Sequence, residues 1–119
     1  MAASVGVQGI VVSNHGGRQL DGAEATADVL PRIVDAIAGE LTVLVDGGIR
    51  YGNDIIKARA LGADGVMVGR PWAWALAARG ESGVREVLHI LDNELRNSLG
   101  LMGNCKLEEL NRASVTVAE

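Results

Sequence analysis

Two groups of residues in this 119-residue chain have the types and spacing to do chemistry. The first is SNHGGRQLDG, Ser13 to Gly22, which follows the β-forming run Gly9-Ile10-Val11-Val12. A histidine where a strand ends can act as a base near neutral pH. Arg18, in the same turn as His15, presents a planar fork suited to a carboxylate. A base beside a carboxylate anchor suits deprotonation of a carboxylic acid at or near its α-carbon. A histidine in a glycine-rich turn can equally serve the backbone alone; Arg18 and a neighbouring phosphate grip tip the reading toward chemistry. That grip is the second group, Asp46-Gly47-Gly48-Ile49-Arg50 together with Gly69-Arg70. Paired glycines let backbone N–H groups approach an anion, and a helix that follows adds its N-terminal dipole. Arginines on two adjacent loops can clamp one phosphate, and Asp46 can accept from a sugar hydroxyl. Two tight turns with surface arginines would give the same letters without a ligand.

The elements that must position these residues follow from apolar patterning. Gly9–Ser13, Thr42–Val45 and Gly65–Val68 are short, Val/Ile-rich runs with little alternation, as expected of strands covered on both faces. Each ends in a polar or glycine-rich turn. Val29, Leu30, Ile33, Val34 and Ile37 form one helical face. Pro31 belongs near a first turn, which sets the start at Thr26 to Asp28, and Gly39 is the stop. A second helix is expected from about Asn53 to Leu61 with Gly62 beyond its end. A third carries the stripe Val84, Val87, Leu88, Leu91, Leu95 and Leu99. A short extra helix is expected over Arg70–Arg79, with Trp72 and Trp74 packing it against the barrel exterior, and Met67 is read as a strand-core residue. Met1–Gly6 reads as the last turn of a helix, and the segment after Asn104 as a small cap (Lys106–Leu110) with a fraying end. Strand alternating with helix at a repeat of about 30 residues means parallel pairing through βα units. Three such units cannot close a barrel, which takes roughly 250 residues.

Composition narrows the function. Eleven basic against fifteen acidic side chains leave a net charge of −4, unlike a sequence-independent nucleic-acid binder. Tyr51, Trp72 and Trp74 are the only aromatics, too few for a base-stacking platform. No apolar run is long enough to span a bilayer, and the opening MAASVGVQGI lacks the basic region of a secretory signal. One cysteine, Cys105, permits no internal disulfide and suits a reducing compartment. A cytoplasmic location is expected, at most peripheral to a membrane. His89 reads as a packing or surface residue, Cys105 as an incidental thiol, and no HExxH or Cys/His spacing points to a metal.

The stretches GIVVSNHGGRQLDG, VLVDGGIRYGNDIIKARALGADGVMVGRPW and LAARGESGVREVL together resemble the FMN-dependent α-hydroxy acid oxidases and dehydrogenases, the family of glycolate oxidase, lactate oxidase and mandelate dehydrogenase. NHGGRQLD is the discriminating part; DGGIR and GADGVMVGR also resemble phosphate-binding stretches of inosine monophosphate dehydrogenases and other flavin barrels. The resemblance implies an α/β fold, the C-terminal part of a TIM (β/α)8 barrel, about strands six to eight with their helices, with residues 1–119 an incomplete barrel. It implies FMN as cofactor and an L-2-hydroxy acid, lactate-like, oxidised to a 2-oxo acid. His15 would be the catalytic base and Arg18 the substrate-carboxylate anchor; Asp46 would meet the ribityl chain, and Gly48, Arg50, Gly69 and Arg70 would hold the phosphate. Tyr51 departs from the small or basic residue common at its position. The family's fifth-strand lysine, its tyrosines and the aspartate partner of its histidine have no counterpart here, so a piece of a longer enzyme, inactive alone, is expected. Oxygen, a quinone or a cytochrome would be the electron acceptor and the full-length enzyme a homo-oligomer. Two other readings remain open: a phosphate- or FMN-binding unit without catalysis, and a related barrel acting on a phosphorylated nucleotide.

Overall fold

The computed structural model describes residues 2–116. Three parallel strands lie in the order β1 (Gly9–Val12), β2 (Thr42–Val45), β3 (Gly65–Val66). Gly9 faces Thr42 and Val12 faces Val45; Leu44 faces Gly65. Parallel neighbours cannot be joined by a hairpin, and the crossovers are α1 (Thr26–Ile37) and α2 (Gly52–Ala60), with α3 (Arg70–Leu101) following β3. The strand-helix alternation is therefore the one that the apolar pattern predicts. β1 stops one residue before the expected Ser13, and β3 ends at Val66 rather than Val68.

The sheet and the two crossover helices share a core of Val12, Val43, Val45, Leu30, Ala58 and Ala63, against which Ile33, Val34 and Val66 pack. Leu30 is 1% exposed; burying such a side chain contributes about 1.5–3 kcal/mol. A second cluster, Ile56, Ala60, Leu99 and Leu110, joins α2 to α3 and the tail. The β2–β3 ladder begins one residue ahead of β3 through a side chain, since Asp64 Oδ2 accepts from the Val43 N–H at 2.8 Å.

Several expectations about packing are corrected. Pro31 lies in the second turn of α1, not the first. The carbonyl its ring crowds, four residues back, is that of Ala27 in the opening turn, so only one ladder bond is forgone. The stop also differs by one residue, since Ala38 itself takes the left-handed conformation (φ 50°) ahead of Gly39. Met67 is outside β3 and half-exposed. Trp72 and Trp74 are exposed, and the α3 stripe buries Leu91 and Leu99 while Leu88 is 58% exposed. α3 is broken at Arg79 (φ −144°) and Gly80 (φ 61°), which separates the expected short helix from the long one. Near the N-terminus, Ala3–Val5 forms one 3-10 turn; Met1 lies outside the described residues. His89 takes the surface alternative of its two readings, and Cys105 is exposed as well.

The tail does not simply fray. It makes 3-10 turns at Leu107–Glu109 and Arg112–Ser114. Arg112 then grips Asp35 on α1 with two bonds (2.6 and 3.1 Å) and donates to the Pro31 carbonyl at 3.1 Å. The hydrogen bond from Arg112, with its charge, holds the Asp35 carboxyl below the usual carboxylate range. A carboxyl depressed on folding adds stability above its unfolded pKa of about 3.9 and loses it as pH falls through the folded value. Arg112→Gln should therefore blunt the loss of thermal stability below about pH 4, compared by melting both proteins across pH 2 to 7; the pair is solvent-exposed, so the difference should be small and shrink in salt.

The α2–α3 contact is closer. A Cβ at Gly52 would collide with the Leu95 N and the Glu94 side chain. Gly52→Ala should lower stability by roughly 1–3 kcal/mol, read as a lower melting temperature with unchanged α/β circular dichroism below the transition.

Candidate active site

The turn after β1 is built from three successive left-handed residues, His15 (φ 52°), Gly16 (φ 72°) and Gly17 (φ 70°). Such a run needs glycine at most positions, and His15 tolerates it at a cost that surroundings must offset. Those surroundings are local. Ser13 Oγ accepts from the His15 N–H (3.1 Å), and Asn14 Oδ1 accepts from the Gly16 N–H (2.9 Å). Asn14 also donates from Nδ2 to the Glu24 carbonyl at 3.3 Å, closing the base of the loop. The imidazole is left exposed above the strand ends.

The turn after β2 is Asp46-Gly47-Gly48, with both glycines left-handed (φ 88° and 85°). The Asp46 N–H still donates to the Val12 carbonyl at 3.1 Å, so the backbone leaves the sheet only after Asp46. Its Oδ1 atom is buried and has no hydrogen-bond partner. A buried acceptor without a donor costs free energy unless a ligand group supplies one. At Gly48 a Cβ would meet nothing within 4 Å, so bare backbone faces open space.

The turn after β3 leads directly into α3, with Gly69 at the N-cap and Arg70 and Pro71 as its first residues. No side chain caps that end. The start of α2 is different, and corrects one expectation. Asp54 Oδ2 accepts from the Arg50 and Tyr51 N–H groups (2.9 and 3.0 Å), and Glu94 Oε2 from the Gly52 N–H (2.7 Å). The α2 terminus is thus occupied by carboxylates of the chain, one from α2 and one from α3; an anion at these turns would meet the α3 terminus instead.

A cavity of about 320 Å³ lies between the three turns. All seven residues singled out in the sequence line it: His15, Arg18, Asp46, Gly48, Arg50, Gly69 and Arg70. Met67 also reaches this wall, which explains its exposure. Arg70 Nη2 would lie 3.7 Å from a Cβ on Gly16, so the guanidinium spans from the third turn toward the first. In a chain of net charge −4, three arginines against one aspartate make this a locally positive pocket. A larger, mostly apolar cavity of about 390 Å³ adjoins it across Gly47 and Gly48, walled by Leu30, Val45, Ala58 and Leu61.

The donor set fits a phosphorylated, hydroxyl-bearing cofactor such as FMN. An orphaned carboxylate oxygen awaits a hydroxyl, bare glycine backbone lies beside arginines, and an uncapped helix start completes the pocket. Among the described residues there is no cluster of His, Cys, Asp and Glu that could hold a metal.

Three residues of the site escaped the sequence reading. Asn14 carried a signal, an Asx residue ahead of a Gly-Gly turn. Thr26 carried a misleading one, because threonine at a helix start reads as a cap. Glu94 carried none, since it acts from α3 on another helix.

Residues 1–117 match the family model described as FMN-dependent dehydrogenase. The chain is 52% identical over 110 residues to an L-lactate dehydrogenase of Caulobacter vibrioides, covering 92% of this chain and 29% of that protein. It is 52% identical to 2-hydroxyacid oxidase 2 of Homo sapiens, over 94% of this chain and 32% of the relative. A crystal structure of mandelate oxidase with benzoyl-formic acid superposes with a TM-score of 0.84 at 57% identity, over 87% of this chain and 31% of that one. The chain thus spans about a third of the length of these curated relatives.

Proposed function

The chain belongs to the FMN-dependent dehydrogenase family, and from that membership we propose that it forms the C-terminal part of a (β/α)8 barrel, about strands six to eight, in an enzyme that oxidises an L-2-hydroxy acid to a 2-oxo acid. The observation that carries the reading is the gathering of all seven chemically chosen residues around one cavity.

Each residue has a task. Arg50 and Arg70, with the Gly48 and Gly69 backbone, hold the FMN phosphate, and Asp46 Oδ1 takes a ribityl hydroxyl as its missing donor. Arg18 fixes the substrate carboxylate through its planar fork. His15 takes the proton of the substrate hydroxyl at a ring nitrogen, and its neighbour Arg18 keeps that hydroxyl carbon in reach. Bound FMN would supply the acceptor for the hydride equivalent that leaves the same carbon. A lactate-like acid is the substrate proposed, after the relative named L-lactate dehydrogenase; the acceptor that reoxidises the cofactor is oxygen, a quinone or a cytochrome. Homo-oligomerisation of the full enzyme and a cytoplasmic, at most membrane-peripheral, location complete the proposal. No described helix is long and apolar enough to cross a membrane. The partial coverage of the relatives favours a second reading for the chain by itself, a phosphate-gripping unit that binds FMN without turnover.

Titrating FMN and following its fluorescence tests the cofactor roles. Quenching is expected, with Asp46→Ala and Arg70→Ala each weakening it about tenfold or more. Unaltered affinity in both variants would remove these residues from the cofactor site.

A further inference from the structure

The turns that carry His15 and Asp46 come from different βα units, and a side chain at the start of α1, in the first unit, holds the turn of the second. Thr26 is the first residue of α1 and, among the described residues, the one buried polar residue, 4% exposed. Its hydroxyl does not cap its own helix, whose N-cap is Ala25 without a side-chain bond. It donates instead to the Asp46 carbonyl at 2.6 Å, with the Gly47 carbonyl at 3.4 Å. A Cβ on Gly47 would lie 3.0 Å from Thr26 Oγ1 and 3.3 Å from Asn14 Oδ1, so the second turn is wedged against the first loop without slack. Asn14 is the same residue that pins the turn bearing His15.

We propose that Thr26 is a positioning residue: its hydroxyl latches the Asp46-Gly47-Gly48 turn in the conformation that meets the cofactor, and ties that turn to the start of α1, the helix that follows the loop of the base. A hydroxyl has one hydrogen to give, and the 2.6 Å bond directs it to the Asp46 carbonyl. The sheet cannot take over, because β2 ends at Val45. Without the latch Asp46 has only its N–H bond to Val12 to hold its backbone, and its carboxylate loses its aim. The inference rests on the FMN reading of the site.

Thr26→Val keeps the volume and removes the donor; Thr26→Ser keeps the donor and trims a methyl group. Two measurements on these variants and the unchanged protein decide the matter: FMN affinity by fluorescence titration, and hydrogen exchange of the Asp46 amide without FMN, with strand amides such as Leu44 as internal reference. The expected result is FMN binding weakened about tenfold or more in Thr26→Val, faster exchange at Asp46 but not in the strand, and near-normal behaviour of Thr26→Ser in both. Equal FMN affinity in all three proteins would overturn the proposal. So would equal losses in both variants, or exchange raised alike at Asp46 and Leu44, because packing rather than the hydroxyl would then be responsible. If the unchanged protein fails to bind FMN, the reading of the lone chain as an FMN-binding unit falls. The latch is then judged on exchange alone, supported by a selective rise at Asp46 in Thr26→Val and overturned by none.

Discussion

His15→Asn should lower hydroxy-acid oxidation about 10²–10⁴-fold while leaving FMN affinity unchanged. The fit setting is a hybrid enzyme in which this chain replaces the matching third of the human 2-hydroxyacid oxidase, so that the rest of the barrel is present. Asparagine is the substitution of choice because position 15 has a positive φ of 52°. Asparagine enters the left-handed region more readily than alanine or glutamine, so the Ser13 and Asn14 bonds that shape the turn survive. Only the base is lost. Steady-state kinetics should show kcat and kcat/KM falling together, the pattern of a group needed in the transition state. A variant with most of its activity would assign His15 to the turn alone.

The second large effect concerns Arg18→Lys, measured in the same hybrid. Charge is kept, but the fork that bonds a carboxylate through two parallel N–H groups is not. KM for the hydroxy acid should rise roughly tenfold or more, with FMN affinity unaffected. Arg18 is exposed and has ordinary helical backbone angles (φ −73°, ψ −32°), so the substitution should not disturb folding. If FMN affinity fell instead, Arg18 would belong to the phosphate grip, and a barrel acting on a phosphorylated nucleotide would become the better account.

The sequence carried the chemistry further than the packing. His15, Arg18, Asp46 and the Gly-Arg turns are readable because their types are unusual at strand ends, and strand ends are where parallel α/β folds bind ligands. The order of strands and helices is readable because fully buried strands and one-faced helices leave different apolar periods. Side-chain destinations are less readable. Met67 continues the apolar run of β3, yet pairing stops at Val66 and the next residue turns toward the cavity. Leu88 fits the α3 stripe by spacing, yet it is exposed while Leu91 and Leu99 of the same segment are buried. Thr26 and Glu94 act across elements distant in the chain, and nothing in a local window says that a helix-start threonine serves Asp46 or that α3 closes the start of α2. That last contact also redirects the anion argument from α2 to α3.

This chain's own residues should complete a hydroxy-acid oxidising site once the rest of the barrel is supplied. The measurement is anaerobic addition of L-lactate to the FMN-loaded hybrid, following the flavin absorbance. Bleaching that disappears in His15→Asn is the predicted result. A hybrid that binds FMN, folds, and keeps its absorbance with L-lactate and with L-mandelate alike would contradict it.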